Sequence, residues 1–165
     1  MKIKQYISAF LLACTLGIGS AQAALFINHS GKLATNEAGT VTYTLVGYDA
    51  AHFNVFHAAD NLFDRFDVGS SFDALVAPGT LKFSFVDFDV GVFARNGNWW
   101  RIQMFKEDDG SYLLGFDDSR FRRDFDFDDM RVRVSFAQVP EPVSYALLLA
   151  GLGLIGALTS RSRKN

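Results

Sequence analysis

Apolar and polar positions alternate with a period of two over much of the middle of this 165-residue chain. Side chains of a strand point to opposite faces in turn, so such alternation predicts half-buried strands. Val41 to Tyr48 (VTYTLVGY) sets Thr against larger groups. Leu81, Phe83 and Phe85 share a face opposite Lys82 and Ser84. Trp100, Ile102 and Met104 fall on one side of a predicted strand over 99–105, with Arg101 and Gln103 on the other. Ser111 to Phe116 is a short apolar run after the turn signal Glu107-Asp108-Asp109-Gly110. Met130, Val132, Val134 and Phe136 line a last strand, with Arg131, Arg133 and Ser135 outside. Helix-period segments are few, and residues 61–71 read as a loop or one short helix. Many short strands between Gly and Asp turns predict an all-β fold, an antiparallel β-sandwich of jelly-roll type.

The pattern fails in one place. In residues 122–136, RRDFDFDDMRVRVSF, a continuous strand would put Asp124, Asp126 and Asp128 on the face of Met130, Val132 and Val134. A one-residue slip flips every side chain, so the phase must break near Asp128-Asp129 by a turn or a bulge. The segment then divides into an acidic hinge, with Phe125 and Phe127 turned inward, and a buried strand. Carboxylates at 124, 126, 128 and 129 raise one another's pKa unless a positive charge sits among them. Arg120, Arg122 and Arg123 could supply it. So could calcium, since hard oxygen ligands on a short flexible loop suit that ion, with Asp117 and Asp118 closing the shell. The spacing is not an EF-hand, because Asp129 stands where the Gly is required and Ser135 where the closing Glu is required.

Both ends have a different character. Lys2 and Lys4 precede an apolar run from about Tyr6 to Ile18, and Ala21-Gln22-Ala23 follows as a small-x-small cleavage site. That is the layout of a secretory signal peptide over residues 1–23. A membrane-anchored helix and a lipoprotein site at Leu11-Leu12-Ala13-Cys14 are the alternatives; cleavage after Ala23 fits better. At the other end, Val143 to Leu158 is nearly uninterrupted apolar sequence, followed at once by Arg161, Arg163 and Lys164. As a helix it would span roughly 24 Å, slightly short of a bilayer core, and Thr159 and Ser160 can extend it. The terminal cations would stay cytoplasmic under the positive-inside rule.

Residues 139–165, with Pro140-Glu141-Pro142, the apolar run and the Arg-rich end in that order, resemble the PEP-CTERM sorting signal. The resemblance implies a transmembrane sorting helix, a Gram-negative host making exopolysaccharide and biofilm, and an exosortase that processes the tail. The chain would be anchored in the inner membrane first and then reach the cell surface or matrix. The stretch SYLLGFDDSRFRRDFDFDDMRVRV resembles the C-terminal motif of the bacterial domain of unknown function numbered 4114. Gly115-Phe116-Asp117-Asp118 matches its first part, and Asp124, Asp126, Phe127, Asp128 and Asp129 its second. The Arg-rich spacer departs from the glycine-rich one of that motif. This second resemblance implies a calcium-associated exported β domain, with Asp117, Asp118, Asp124, Asp126, Asp128 and Asp129 as the ligand set, and no defined activity.

Residues 24–138 are left as one domain. They carry 11 Lys and Arg against 17 Asp and Glu, a net charge of −6, which disfavours nucleic acid as a partner. The one cysteine, Cys14, lies in the predicted signal, so Cys-based zinc or thiol chemistry is excluded. His52 and His57 would point to opposite faces of a strand and, like His29, read as loop or surface histidines. Asp87 and Asp89 (VDFDV) are expected to face solvent together. No Gly-x-Ser-x-Gly elbow is present. The expectation is a non-enzymatic surface or matrix protein, with a carbohydrate-binding module as the alternative. In that alternative Trp99 would stack on a sugar ring of the exopolysaccharide, while Trp100 packs inside.

Overall fold

The structure is a computed structural model, and it describes residues 25–119, 125–138 and 142–162. The predicted signal peptide, Arg120, Arg122, Arg123, Asp124, Pro140 and Glu141 lie outside the described residues. Among the described residues twelve strands run in chain order: β1 (Leu25–Ile27), β2 (Leu33–Thr35), β3 (Gly39–Tyr48), β4 (Asn54–Ala58), β5 (Asn61–Phe63), β6 (Ser71–Val76), β7 (Gly79–Thr80), β8 (Phe83–Asp87), β9 (Val92–Arg95), β10 (Ile102–Lys106), β11 (Tyr112–Phe116) and β12 (Met130–Gln138). Among the described residues one helix, α1 (Pro142–Ser162), follows.

The strands form three antiparallel sheets, ordered β1-β2-β7, β10-β11-β12-β3-β6 and β5-β4-β8-β9. Alternation decides which side of each is buried. On β3, Val41, Tyr43 and Leu45 point in while Thr40, Thr42 and Thr44 stay half-exposed. On β12, Met130, Val132 and Val134 are fully buried and Arg131 and Arg133 exposed. The two larger sheets meet through aromatic rings. Tyr43 of β3 lies 5.4 Å from Phe56 of β4, Phe72 of β6 lies 4.7 Å from Phe63 of β5, and Phe116 of β11 stacks on Phe85 of β8 at 4.9 Å. Facing sheets stand about 10 Å apart, a gap that opposed Phe rings fill with few voids. The richness in Phe is thus the packing solution of a domain in which no disulfide is available.

The turn between β10 and β11 is tied to β12 by a forked pair. Arg133 Nε donates to Glu107 Oε2 at 2.6 Å and its Nη2 to Oε1 at 3.0 Å. The Arg133 bond, with help from Ser111, holds the Glu107 carboxyl below its ordinary value. A depressed carboxylate contributes stability above its unfolded pKa and loses it as pH falls through the folded one. Both side chains are partly solvated, so the pair is worth about 0.2–1 kcal/mol. Glu107→Gln is expected to remove that amount at neutral pH and to flatten the acid limb below about pH 4.5. Chemical denaturation at several pH values checks this; an unchanged acid limb would contradict it.

Four expectations are corrected. Residues 61–71 are neither plain loop nor helix: β5 pairs with β4, and turns centred on Asp64 and Asp67 lead to β6. Trp100 is not inside. The strand begins only at Ile102, because Arg101 N and Ile102 N both donate to Asn98 O and close a turn. Trp99 and Trp100 lie on that turn, 66 % and 51 % exposed, with their rings stacked at 3.9 Å. The phase does break before Met130, but Phe125 is 58 % exposed and only Phe127 is half-buried. Both adopt left-handed backbone, with φ of +58° and +54°. That conformation is strained for a bulky residue and swings Phe125 outward. Finally, α1 forms over the expected tail, but among the described residues no helix is long and apolar enough to cross a membrane.

Candidate functional site

The inner face of β8 carries Phe83, Phe85 and then Asp87 in strict alternation, so Asp87 is driven inward with the rings. It is fully buried, and the expectation that it faces solvent with Asp89 is corrected. Its Oδ1 accepts from the backbone N–H of Asp89 at 2.7 Å and of Val90 at 3.2 Å, which caps the β8–β9 turn. Asp89 is exposed, and its Oδ2 accepts from Phe53 N at 2.7 Å.

Asn54, at the start of β4, is the cross-strand neighbour of Asp87 and is also fully buried. Its Nδ2 donates to Asp118 Oδ2 at 2.6 Å. Tyr48 ends β3, and its hydroxyl donates to the His52 carbonyl while accepting from Asn54 N at 2.8 Å. This clasp sets the β3–β4 loop and presents His52 to the carboxylates. His52 Nδ1 lies 3.1 Å from Asp87 Oδ2 and 3.5 Å from Asp118 Oδ1. The histidine is partly exposed and both carboxylates are buried.

Asp117 and Asp118 continue from β11 into the interior, 0 % and 6 % exposed. Asp117 Oδ1 accepts from Ser119 N at 2.9 Å, and the Arg101 guanidinium stands 3.7 Å from it. Asp118 N donates to Asp129 Oδ2 at 2.7 Å, which pins the acidic hinge to the end of β11. Burial pushes the Asp118 carboxyl above its ordinary value. The Asn54 hydrogen bond and His52 oppose that, and Asp87 and Asp117 add to it. Three carboxylates are therefore gathered in a poorly solvated corner where three loops meet. Among the described residues three buried oxygens have no hydrogen-bond partner: Asn54 Oδ1 and Asp117 Oδ2 in this corner, and Glu37 Oε2.

The expected ligand set is only partly brought together. Asp118 joins His52 and Asp87 in a group whose donor atoms all lie within 4.8 Å of one another. Asp117 is adjacent, and Asp129 binds the Asp118 backbone. Asp126 is exposed, Asp128 half-exposed, and neither belongs to the group. Sequence reasoning missed His52, Asn54 and Asp87. For Asp87 the signal was present, since it has the parity of Phe83 and Phe85. For His52 and Asn54 no local pattern could have shown that a loop turns them toward residues more than 30 positions away.

Residues 138–164 match the PEP-CTERM protein-sorting motif. That motif implies processing by an exosortase, with export and membrane anchoring before processing and the cell surface after it. The match covers the tail alone, and the resemblance of residues 111–134 to the domain numbered 4114 is not shown by it. No curated protein and no solved structure matches the chain.

Proposed function

We propose that this chain is an exported, non-enzymatic surface or matrix protein whose tail delivers a β-sandwich domain to the outside of a biofilm-forming cell. The observation that carries the reading is the sorting motif over residues 138–164, joined to a domain whose core closes within residues 25–134. Before processing, the sorting tail that contains α1 holds the chain at the membrane, although among the described residues α1 is not long and apolar enough to cross it. Its apolar residues are spread around the whole circumference, and Leu147, Leu148, Leu149, Leu152, Leu154 and Ile155 are exposed. A helix that is apolar all round suits a protein interior or lipid better than water. Pro142 at its first position fits the helix start, where a missing N–H costs nothing.

A second reading, an exopolysaccharide-binding module, is favoured by one observation. The exposed Trp99–Trp100 stack borders a cleft of about 500 Å³ lined by Val90, Phe93, Asn98, Trp100 and Arg101. Aromatic faces beside polar side chains suit sugar rings.

The test of the main reading compares the full chain with a chain ending at Gln138, each in a host with and without its exosortase. The full chain is expected to stay in the membrane fraction when the exosortase is missing and to leave it when the enzyme is present. The shortened chain should show no such dependence. Equal distribution of the full chain in both hosts would overturn the proposal.

A further inference from the structure

We infer that His52, Asp87 and Asp118 form a binding site for a single divalent cation of the zinc class, which locks the loop between β3 and β4, the β8–β9 turn and the exit of β11 to one another. The inference goes beyond the sorting reading and does not depend on it. Its first support is donor geometry. Zinc sits about 2.0–2.2 Å from nitrogen and carboxylate oxygen, so neighbouring donors of a tetrahedral site are roughly 3.3 Å apart. His52 Nδ1 stands 3.1 Å and 3.5 Å from the two carboxylate oxygens it faces, the first within hydrogen-bond distance, and the three donor atoms all lie within 4.8 Å of one another. An imidazole nitrogen with two carboxylates suits zinc and its neighbours, whereas calcium prefers an all-oxygen shell.

The second support is independent of the cluster. Asn54 is fully buried, its amide touches Asp118 and stands beside its cross-strand partner Asp87, and its Oδ1 has no donor. Asp117 Oδ2 is likewise buried and unpartnered next to Asp118. Buried acceptors without donors are rare in folded proteins, and a cation is one of the few groups that satisfies acceptors alone. Charge points the same way. Asp87, Asp117 and Asp118 bring three buried carboxylates to a corner where, among the described residues, the near basic groups are Arg101, 3.7 Å from Asp117, and partly exposed His52. Buried charges persist only when paired or bound to metal.

The surrounding bonds also match a metal site. Asn54 holds the outer oxygen of Asp118, and the turn amides of Asp89 and Val90 hold the other oxygen of Asp87. Ligating carboxylates are commonly oriented in this way.

The test uses the full chain in detergent micelles, stripped of metal by a chelator and titrated with zinc chloride or calcium chloride. Zinc is expected to bind one-to-one and to raise the melting temperature by at least about 5 °C at a hundredfold excess over Kd. Cobalt in place of zinc should give a visible d–d spectrum with histidine ligation. Losing a supporting partner of a ligand costs about 10–100-fold in affinity, so His52→Ala should weaken zinc at least about tenfold. That side chain is more than a third exposed, so the variant is expected to fold; Asp87→Asn, if it folds, should abolish binding. No zinc binding, or unchanged affinity in His52→Ala, would overturn the inference. A calcium response that survives His52→Ala would do so as well, by placing the ion on oxygens alone. Sorting of the tail is read in cells and would be unaffected by any of these outcomes.

Discussion

Phe56→Ala is expected to lower the free energy of unfolding by about 3–5 kcal/mol. Phe56 is fully buried on β4, and its ring neighbours come from both of the larger sheets. It lies 5.4 Å from Tyr43, 4.9 Å from Phe85, 5.9 Å from Phe83 and 6.2 Å from Phe63. Truncation removes the transfer free energy of the ring and leaves a void that four rigid aromatic groups cannot close without leaving their rotamers. A domain of this size is stable by about 5–15 kcal/mol in all, so the loss is a large share of the total. Urea denaturation followed by circular dichroism measures it. A loss below about 1 kcal/mol would mean that the two sheets do not meet at this residue.

The second large effect is expected at Gly115. It sits on β11 with Gln103 and Arg131 as its lateral partners, in ordinary strand geometry. What requires glycine is the hinge crossing above it. A Cβ added at Gly115 would lie 2.3 Å from the Phe127 carbonyl oxygen and 3.0 Å from the Phe127 Cβ. The obstruction is backbone, in a residue already held at positive φ, so it cannot rotate away. Gly115→Ala is therefore expected to destabilise the domain by about 1–3 kcal/mol, the usual cost of overfilling a packed site. It should also raise hydrogen exchange at Asp118 N, whose bond to Asp129 Oδ2 depends on where the hinge lies. A change within about 0.5 kcal/mol, with exchange unaltered, would show that the hinge does not rest on β11.

The strands were legible in the sequence wherever one face is buried and the other wet. β3, β8 and β12 follow their alternation residue by residue, because period-two patterning and burial are the same constraint seen twice. The phase break at Asp128-Asp129 was legible for the same reason. The failures have physical causes too. Trp100 had the parity of Ile102, but the Asn98 turn interrupts the strand, and parity has no meaning across a turn. Alternation with the carboxylates points Phe125 inward, yet its left-handed backbone changes the direction in which the side chain leaves the chain.

The candidate site was legible only in its Asp117-Asp118 portion. Asp87 was misread because carboxylates on strands are usually wet, although its parity pointed in. His52 and Asn54 reach the site through the Tyr48 clasp and the β4–β8 pairing, long-range geometry that a linear pattern does not contain. The tail is the opposite case. A sorting signal is read by another protein as a linear string, so its information lies in the sequence and needs no fold.

That string is also where the account is most exposed. The measurement is intact-mass and C-terminal peptide analysis of the chain recovered from the cell surface or matrix of an exosortase-bearing host. The account predicts a mature chain that keeps the β domain through Gln138 and has lost the apolar helix that begins at Pro142. A surface form that still carries Arg161 and Asn165 would contradict it.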